Sequence, residues 1–494
     1  MKNKQTFLIT IALLTILFFT ANGQTSVSGG IFSNTTWTLA GSPYIVTDTV
    51  VVFPGNTLTI QPGVTVKFDN DMLIELRQAA LIAMGTSTDS IKFISNAASP
   101  SPGIWSSLYL NGGSMTSKFN YCSFKYAYYG ILDNRSGSDT LIFKNSNLSF
   151  NIYGLEGTAT TYGIIDSCNF TNNTCGAVTS GSTINYCNFL YNTQTGLACT
   201  GVSLFGNIIH NCIMNHNQTG LGGKAFSIYN STINFNQWGI GARGCCIYNC
   251  NVMHNQSGII TGHTIHDDNI RVRNTIIDSN SVSGIEIYNR LDSIINCQIK
   301  YNGIAMIDNN ADNSWINIIT NNDIENNSSG LQIIYTYDKI SCNKICNNGT
   351  YDLQYNGASN ISIANNYWCT ADSASTEAVI YDGYDNISYG LVNFMPIDSA
   401  CYYSGLTTTG IHEAQSSLSF DLFPNPTTDY LTVELPGSVS KTSLQIFNML
   451  GEQIYSSITT NQKTGIDVSA LASGIYIIRI TNNKNSSTKK FIKQ

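Results

Sequence analysis

The side chains best suited to acid–base or metal chemistry fall in two segments of the sequence and the stretch between them. They are His263, His266, Asp267, Asp268, Arg271 and Arg273, then Glu286 and Arg290, then Asp308 and Asp312. Paired carboxylates of this kind could hold Ca²⁺ against an acidic polysaccharide while an arginine serves as base or charge stabiliser in β-elimination. Alternatively, two of the aspartates could form the acid and base pair of a glycoside hydrolase.

A simpler interpretation is that these charges lie on solvated loops and neutralise one another. They match neither a catalytic lysine or arginine motif nor an acidic triad familiar from polysaccharide-cleaving enzymes. We therefore assign no catalytic set and no metal site, and Ca²⁺ is the one cofactor that the carboxylates suggest. Separately, Tyr126, Tyr128, Tyr129, Trp238 and Trp315 could stack on sugar rings, although each could equally cover the core.

A repeating unit must position these residues, because one short phrase recurs along the chain. A small or polar residue is followed by an apolar residue two positions later, Asn five positions later and then Gly, as in Cys168, Phe170, Asn173 and Gly176. Its first position recurs every 19 to 25 residues, about 22 on average, at Cys122, Ser146, Cys168, Cys187, Cys212, Ser231, Cys250, Thr275, Cys297, Asn322 and Asn343. Periods of this length indicate a solenoid.

Each repeat is predicted to be a coil of short β-strands. Leucine-rich repeats need several Leu in each unit, whereas here the apolar residues are mostly Ile, Phe and Val at alternating positions, as in residues 284–287. Between Phe119 and Asn366 there is no helical apolar stripe bounded by caps. The sequence therefore predicts an all-β solenoid.

Stacking of the coils would align the equivalent residues of successive repeats in columns, and a structural role can be predicted for each column. The Asn column is expected to adopt left-handed turns and to form an amide ladder along the axis, and the following Gly a second tight turn. The Cys column is expected to be a stack of buried thiols, with Cys245–Cys246 and Cys369–Cys401 as possible bridges. Two long connections, Gly258 to Thr275 and Gly303 to Asn322, are predicted to lie on one side and to bring the charged residues together.

The overall composition excludes several classes of protein. Charged residues make up 11% of the 494 residues and hydrophobic residues 42%, which argues against both a salt-bridged helical protein and disorder. A net charge of -7 argues against nucleic acid as a partner. Lys2 and Lys4 precede an apolar run and the small-residue site Ala21–Gly23, which predicts a signal peptide cleaved after Gly23. No later apolar run is long enough for a transmembrane segment.

The opening and closing segments of the repeats resemble those of secreted right-handed parallel β-helix proteins. The opening segment is Thr57–Phe68, and the closing segments are Asn365–Trp368 and Gly390–Pro396. The resemblance implies an architecture and leaves the activity open, because lyases, hydrolases, adhesins and stalks share this shape. The expected domains are a signal peptide (1–23), an N-terminal cap (24–44), the β-helix (45–404), a linker (405–416) and a C-terminal domain (417–494).

Four motifs of the C-terminal domain resemble the type A sorting domain of the type IX secretion system. Their defining residues are Pro424, Asn425 and Pro426, then Gly451, then Asp467, Gly474 and Tyr476, then Lys489 and Lys490. Asn448 departs from the pattern, since the family usually has Asp there. The resemblance implies an immunoglobulin-like sandwich of about seven strands that the outer-membrane translocon recognises. A cell-surface sandwich that simply binds a ligand is the alternative.

These observations favour a secreted or surface-attached protein, expected to be a monomer, whose β-helix binds glycans or mediates adhesion. The first alternative is a secreted lyase or hydrolase of acidic polysaccharide. The second is a structural spacer, which would show neither binding nor turnover. A polysaccharide is thus the expected ligand, and the translocon the expected partner.

Overall fold

The computed structural model describes residues 23–113, 115–135, 140–157, 162–201, 206–261, 270–288, 291–309, 317–334, 339–405, 420–435, 441–448, 453–482 and 485–494. The chain divides into two compact units, Met1–Thr407 and Thr408–Gln494. The predicted signal peptide lies outside the described residues up to position 22. Among the helices of the described residues, none is long and apolar enough to cross a membrane.

The first unit is a parallel β-solenoid of about 14 turns with ~23 residues per turn, which confirms the predicted fold. Each strand pairs in parallel with the equivalent strand of the next coil, so three sheets run along the axis. The first sheet contains β1 (Thr25–Ile31), β3 (Tyr44–Val52), β5 (Thr65–Phe68), β8 (Ile91–Ser95), β11 (Cys122–Lys125), β14 (Asn147–Ser149), β17 (Asn169–Thr171), β20 (Asn188–Leu190), β23 (Ile213–Asn215), β25 (Thr232–Asn234), β27 (Asn251–Met253), β30 (Ile276–Asp278), β33 (Gln298–Lys300), β36 (Asp323–Glu325) and β39 (Lys344–Cys346).

The second and third sheets share two long strands. The second sheet continues from the end of β3 through β6 (Leu73–Arg77), β9 (Trp105–Asn111), β12 (Ala127–Asn134), β15 (Tyr153–Gly157), β18 (Cys175–Thr179), β21 (Thr195–Thr200), β24 (Thr219–Tyr229), β26 (Trp238–Tyr248), β28 (Ser257–Thr261), β31 (Ser283–Ile287), β34 (Ile304–Asp308), β37 (Ser329–Ile333), β40 (Leu353–Tyr355) and β42 (Ile380–Tyr381). The third contains β2 (Thr35–Trp37), β4 (Thr57–Ile60), β7 (Ala80–Met84), β10 (Ser117–Asn120), β13 (Thr140–Lys144), β16 (Tyr162–Asp166), β19 (Thr183–Asn185), β22 (Asn207–His210), the second halves of β24 and β26, β29 (Ile270–Arg273), β32 (Leu291–Ile295), β35 (Ile318–Thr320) and β38 (Lys339–Ser341). Outside these sheets lie β41 (Ile361–Ser362), β43 (Val392–Asn393), a 3₁₀ turn (Leu39–Gly41) and the short helices α1 (Ser373–Glu377) and α2 (Ser399–Gly405).

Alternation along each strand sends apolar side chains into one continuous core. Phe170 of β17 is in register with Phe189 of β20, which is in register with Met214 of β23, and all three are fully buried. The two phenylalanine rings stack with centroids 4.8 Å apart, the spacing of the coils themselves. The predicted column of Cys, Ser, Thr and Asn is likewise buried.

The Asn column forms the predicted ladder, and its amides are buried inside the turns. Asn236 accepts bonds from the backbone N–H and the Nδ2 group of Asn217, at 2.9 and 3.1 Å. It donates in turn to Asn255 Oδ1 at 3.0 Å and to the carbonyl of Met214 at 2.9 Å. Each amide therefore links three successive coils.

The backbone role predicted for this column was wrong by one position. The left-handed residue is the one before each Asn, for example His216 with φ 57° and Phe235 with φ 55°. The Asn side chain faces the interior, where its amide forms hydrogen bonds with backbone groups of the turns. The left-handed conformation is therefore adopted by the preceding residue, whose side chain faces outward. The glycines also serve a different purpose: a Cβ on Gly220 would lie 2.7 Å from the carbonyl oxygen of Gly239, which shows that close approach of the coils requires them.

Ten of the 14 cysteines are free thiols, and nine of those are buried, as expected for the column. The two suggested bridges were wrong. Cys369 pairs with Cys346, and Cys401 pairs with Cys342, at the C-terminal end of the solenoid. Cys245 is buried whereas its neighbour Cys246 is partly exposed, because successive residues of β26 point to opposite faces.

The second unit contains two antiparallel sheets around a core of its own. One sheet holds β44 (Asp421–Phe423), β45 (Tyr430–Glu434) and β48 (Lys463–Asp467); the other holds β46 (Thr442–Phe447), β47 (Gln453–Thr459), β49 (Gly474–Asn482) and β50 (Asn485–Lys493). Leu431 of the first sheet and Ile446 of the second belong to the same buried cluster. This is the seven-strand sandwich that the C-terminal motifs implied.

We expect N236A to lower the free energy of unfolding by roughly 2–4 kcal/mol, because it leaves buried donors of Asn217 and a buried carbonyl without partners. Urea unfolding followed by circular dichroism measures the difference. Asn251 is the matched control, since it lies on the outward side of β27 and its side chain makes no hydrogen bond to the described residues. A similar loss in N251A would contradict a special role for the ladder.

Thiol labelling tests the burial of the Cys column. Burial raises the pKa of Cys122, Cys250 and Cys297 to about 12, so neither access nor ionisation favours reaction at neutral pH. We expect DTNB to label about one thiol per native chain, at Cys246, and ten after unfolding in urea without reductant. Labelling of several thiols in the folded protein would contradict the inward stack.

Candidate functional site

The structure describes four of the charged residues predicted for the site, namely Arg271, Arg273, Glu286 and Asp308. Seven of the predicted positions lie outside the described residues: His263, His266, Asp267, Asp268, Arg290, Asp312 and Trp315. Arg271 is exposed on the outer face of β29 in the third sheet. Asp308 is 1% exposed and faces the interior at the end of β34 in the second sheet. The carboxylate of Asp308 is therefore shielded from any ligand on the surface.

The outer face of the second sheet carries an open strip, which we call the trough. Ala198, Gly222 and Gly241 lie side by side in register on β21, β24 and β26. A Cβ built on Gly241 would meet no atom within 4 Å, and one on Gly222 would first meet Thr219 at 3.5 Å. The floor of the trough is thus backbone that a ligand can approach closely.

An aromatic ring and two cations border the trough. Trp238 lies three residues before Gly241 and is 40% exposed. Lys224 and Arg243 lie two residues beyond the glycines, are in register with each other, and are both exposed. Among the described residues neither forms an ion pair. Two like charges are thereby held about 4.8 Å apart at their backbones, an arrangement that an anion between them would relieve.

Gly222 and Gly241 lie in two consecutive coils of 19 residues. In β24 and β26 the second and third sheets run on without a loop, through bends at Ala225 (φ 53°) and Gly244 (φ 52°). The coil before and the coil after have separate strands at this corner, joined by longer connections. The trough was not predicted from the sequence because its outward positions are Gly and Ala. The 19-residue spacing of Cys212, Ser231 and Cys250 was the available signal.

Glu156 lies in the same outward row, three coils before Gly222 and hence about 14 Å away. Its Oε2 atom is buried and has no hydrogen-bond partner in the described structure. Burial raises the pKa of this carboxyl above its usual value. Glu156 was not predicted from the sequence, because a single glutamate within a repeat looks like any other outward residue.

Two tyrosines, Tyr129 and Tyr153, lie near Glu156, and Tyr128 packs against both of them. The rings of Tyr129 and Tyr153 stack with centroids 5.2 Å apart, and Tyr128, which is 45% exposed, meets Tyr129 edge-on at 4.7 Å. Burial and then the charge of Glu156 raise the pKa of Tyr153, while burial, Tyr128 and then Glu156 raise that of Tyr129. Cys175 packs beside them, and its pKa is raised to about 12 by burial and by Glu156.

Glu286 provides the contrast. It occupies the same row three coils beyond Gly222, yet both of its oxygens are satisfied. Ser257 donates to Oε1 at 2.9 Å, Ser283 donates to the same oxygen, and the Tyr288 hydroxyl donates to Oε2 at 3.0 Å. Its hydrogen bonds make Glu286 a structural carboxylate.

Of the other predicted aromatic residues, Tyr126 lies away from this face. It occupies a left-handed turn position with φ 68°, and its ring stacks on Phe150 at 5.9 Å. The described residues contain no group of three His, Cys, Asp or Glu placed to hold a metal ion. The suggested Ca²⁺ site therefore stays a prediction, confined to residues that lie outside that description.

The sorting motifs play structural roles in the C-terminal sandwich. Asn425 accepts from the N–H of Ile492 at 2.9 Å and donates to the carbonyl of Lys490 at 3.1 Å, which ties the first motif to the last strand. Asp467 accepts from the backbone and hydroxyl of Ser469, and the hydroxyl bond chiefly lowers its pKa. The ring of Tyr476 stacks on that of Phe491, and Lys489 forms an ion pair with Asp421. Lys490 is exposed, and Gly474 is the first residue of β49. Gly451 lies outside the described residues.

The environment of Glu156 predicts a pH-dependent effect on stability. A carboxyl whose pKa is raised in the folded state favours folding at pH values below its unfolded pKa, and this contribution is lost as pH rises through the folded pKa. We therefore expect E156Q to have a higher urea midpoint than the unsubstituted protein at pH 8, where Gln avoids burial of a charge, and the difference to shrink at pH 4. A destabilised E156Q at pH 8 would mean that the carboxylate has a stabilising partner.

Comparison with known proteins identifies the C-terminal unit. Residues 421–494 match the family described as "Secretion system C-terminal sorting domain". Ulvan lyase NLR42 of Nonlabens ulvanivorans is 36% identical over 90 residues, which are 18% of this chain and 17% of that enzyme. The match thus spans about a sixth of the relative's length.

Among solved structures, the periplasmic alginate epimerase AlgG is 13% identical, with a TM-score of 0.38 over 66% of this chain and 84% of that one. The A-module of the mannuronan C-5 epimerase AlgE6 of Azotobacter vinelandii is also 13% identical, with a TM-score of 0.22 over 69% and 86%. These similarities add nothing to the fold already described. The protein is therefore a parallel β-solenoid that ends in a secretion system C-terminal sorting domain, and the type IX secretion system exports it to the cell surface or beyond.

Proposed function

We propose that the solenoid binds an anionic polysaccharide along the trough. The observation that carries this proposal is the placement of Lys224 and Arg243, unpaired within the described residues, beside the backbone floor of Gly222 and Gly241. A cation left without a partner on a protein with so few charges is available to a carboxylate, sulfate or phosphate group. An extended acidic chain lying across successive coils would meet both cations at once.

Trp238 adds a surface suited to a sugar. Its ring is partly exposed at the opposite border of the trough from the cations, so a sugar above the glycines would lie between an aromatic ring and positive charge. Indole rings offer a large apolar area at little conformational cost and are well suited to the apolar faces of sugars. Export to the cell surface or beyond would expose the trough to extracellular polysaccharide.

Cleavage of the polysaccharide is the second candidate function. A relative is named as an ulvan lyase, and the unsatisfied Glu156 lies in the same row as the trough. The identity covers 90 residues, so it supports a lyase as a hypothesis and leaves the substrate open. A structural spacer is the remaining alternative, and it would neither bind nor cleave.

Binding of the full-length protein to immobilised alginate, polygalacturonate, ulvan and the neutral polymer dextran tests the proposal. We expect retention on at least one anionic polymer and none on dextran. The double variant K224A/R243A should weaken that binding about ten- to hundredfold. Each charged hydrogen bond contributes roughly 1.5–3 kcal/mol of binding free energy, and the other contacts of the polysaccharide with the trough would compensate for part of the loss. A higher salt concentration should also weaken binding of the polysaccharide to the unsubstituted protein.

The matched control is K92A/K118A, which removes two exposed lysines from the first and third sheets. It changes the net charge by the same amount and should leave retention within about twofold. Equal losses in the two double variants would indicate a diffuse charge effect and would contradict the trough. Failure of the unsubstituted protein to bind any of the anionic polymers would leave the spacer as the better description.

A further inference from the structure

We propose that Glu156 is a catalytic base that acts with Tyr153 or Tyr129 in the β-eliminative cleavage of a uronate-containing polysaccharide. This inference rests on the proposed function, because it requires the polymer to lie along the outer face of the second sheet. It goes further by assigning a reaction class and a position for the reacting sugar, three coils from the cations of the trough.

The geometry around Glu156 supports this assignment. A carboxylate that only stabilises the fold has its oxygens satisfied, as Glu286 does in the same row with two serines and a tyrosine. Glu156 instead keeps a buried oxygen without a partner among the described residues, although its side chain lies on the outward, half-buried face of β15. Such an arrangement costs stability, and unsatisfied polar groups of this kind call for an explanation beyond packing.

The neighbouring groups suit proton transfer. Among the described residues, the titratable groups near Glu156 are Tyr129 of the coil before, Tyr153 of its own coil and Cys175 of the coil after, and no cation is among them. Burial without a cation leaves the carboxylate more basic than an exposed glutamate, which favours removal of a weakly acidic proton. Tyrosine hydroxyls are protonated at neutral pH, and burial raises the pKa of Tyr129 and of Tyr153 further, so each carries a proton that it can donate.

The proposed step conserves atoms and charge. The Glu156 carboxylate takes the proton from C5 of a uronate residue, and the electron pair of that C–H bond forms a double bond between C4 and C5. The bond between C4 and the glycosidic oxygen breaks, and the oxygen leaves with the bonding pair and takes the hydroxyl proton of Tyr153 or Tyr129. The proton on Glu156 then returns to the phenolate through solvent, so the step needs neither water as a reactant nor an oxidant.

Hydrolysis fits this site less well. It requires a second carboxyl group about 5–10 Å from the first. In the described part of the row, the carboxylates flanking Glu156 are Glu75, three coils before it, and Glu286, six coils after it. Asp133 lies on the neighbouring strand, in register with Gly157, but it faces the interior and makes a bidentate pair with Arg135. Within the described part of this row, Glu156 has no second carboxylate at the spacing that hydrolysis needs, whereas the tyrosines beside it can serve elimination.

The test follows ultraviolet absorbance of the conjugated double bond when the full-length protein is incubated with alginate or polygalacturonate. We expect product from the unsubstituted protein, a fall of at least about a hundredfold in kcat for E156Q, and a smaller fall for Y153F. E286Q is the matched control and should keep its rate. The acidic limb of the rate–pH profile, set by the Glu156 carboxyl, should be absent from the residual activity of E156Q.

Binding and turnover separate this inference from the proposed function. E156Q should still be retained on the polysaccharide, because Lys224 and Arg243 are intact, and its unfolding midpoint shows whether it is folded. Retention of the unsubstituted protein without product would overturn the catalytic assignment and leave the binding proposal standing. Full activity in E156Q, or new reducing ends without the double bond, would also overturn it.

Discussion

The hydrogen bond between the asparagine amides of successive coils is the interaction on which the rest of the structure depends. Strand pairing alone tolerates a shift of register, whereas an amide that accepts from one coil and donates to another fixes each turn relative to its neighbours. Asn217, Asn236 and Asn255 hold three consecutive turns in this way. Because they are buried, their bonds are formed where water cannot compete.

Fixed register turns a repetitive chain into rows of residues that share a chemical environment. Every outward position of the second sheet lies about 4.8 Å from the equivalent positions of the coils before and after it. A change of side chain at one such position in a few neighbouring coils is therefore enough to form a surface for an elongated ligand. The trough arises because Gly222 and Gly241 follow Ala198 in one such row. The cations beside it come from the next outward row, which Lys224 and Arg243 share.

The sequence predicted the fold to a greater depth than the site. The recurrence of Cys168, Phe170 and Asn173 reflects the physical demands of stacked coils, so the period revealed the solenoid, the ladder and the buried thiols. Its limits were local: which residue of the turn is left-handed depends on where the amide points, and which cysteines pair depends on the cap. The proposed site was harder to predict because its floor is formed by glycines. From the sequence alone, a glycine is most readily assigned to a turn, and only the strand register shows that Gly222 and Gly241 lie side by side on the outer face.

Glu156 and Glu286 show why residue type alone could not identify the site. Both are glutamates in the same row of the same sheet, and periodicity treats them as equivalent. Serine lies in the row beside Glu286, at positions 257 and 283, and supplies donors, whereas tyrosine occupies the corresponding positions beside Glu156, at 129 and 153. Donors satisfy both oxygens of Glu286, whereas Glu156 keeps a buried oxygen without a partner among the described residues, and burial raises its pKa. The environment of each glutamate therefore depends on side chains of the neighbouring row. Some of these side chains belong to the adjacent coil and lie about one coil away in the sequence.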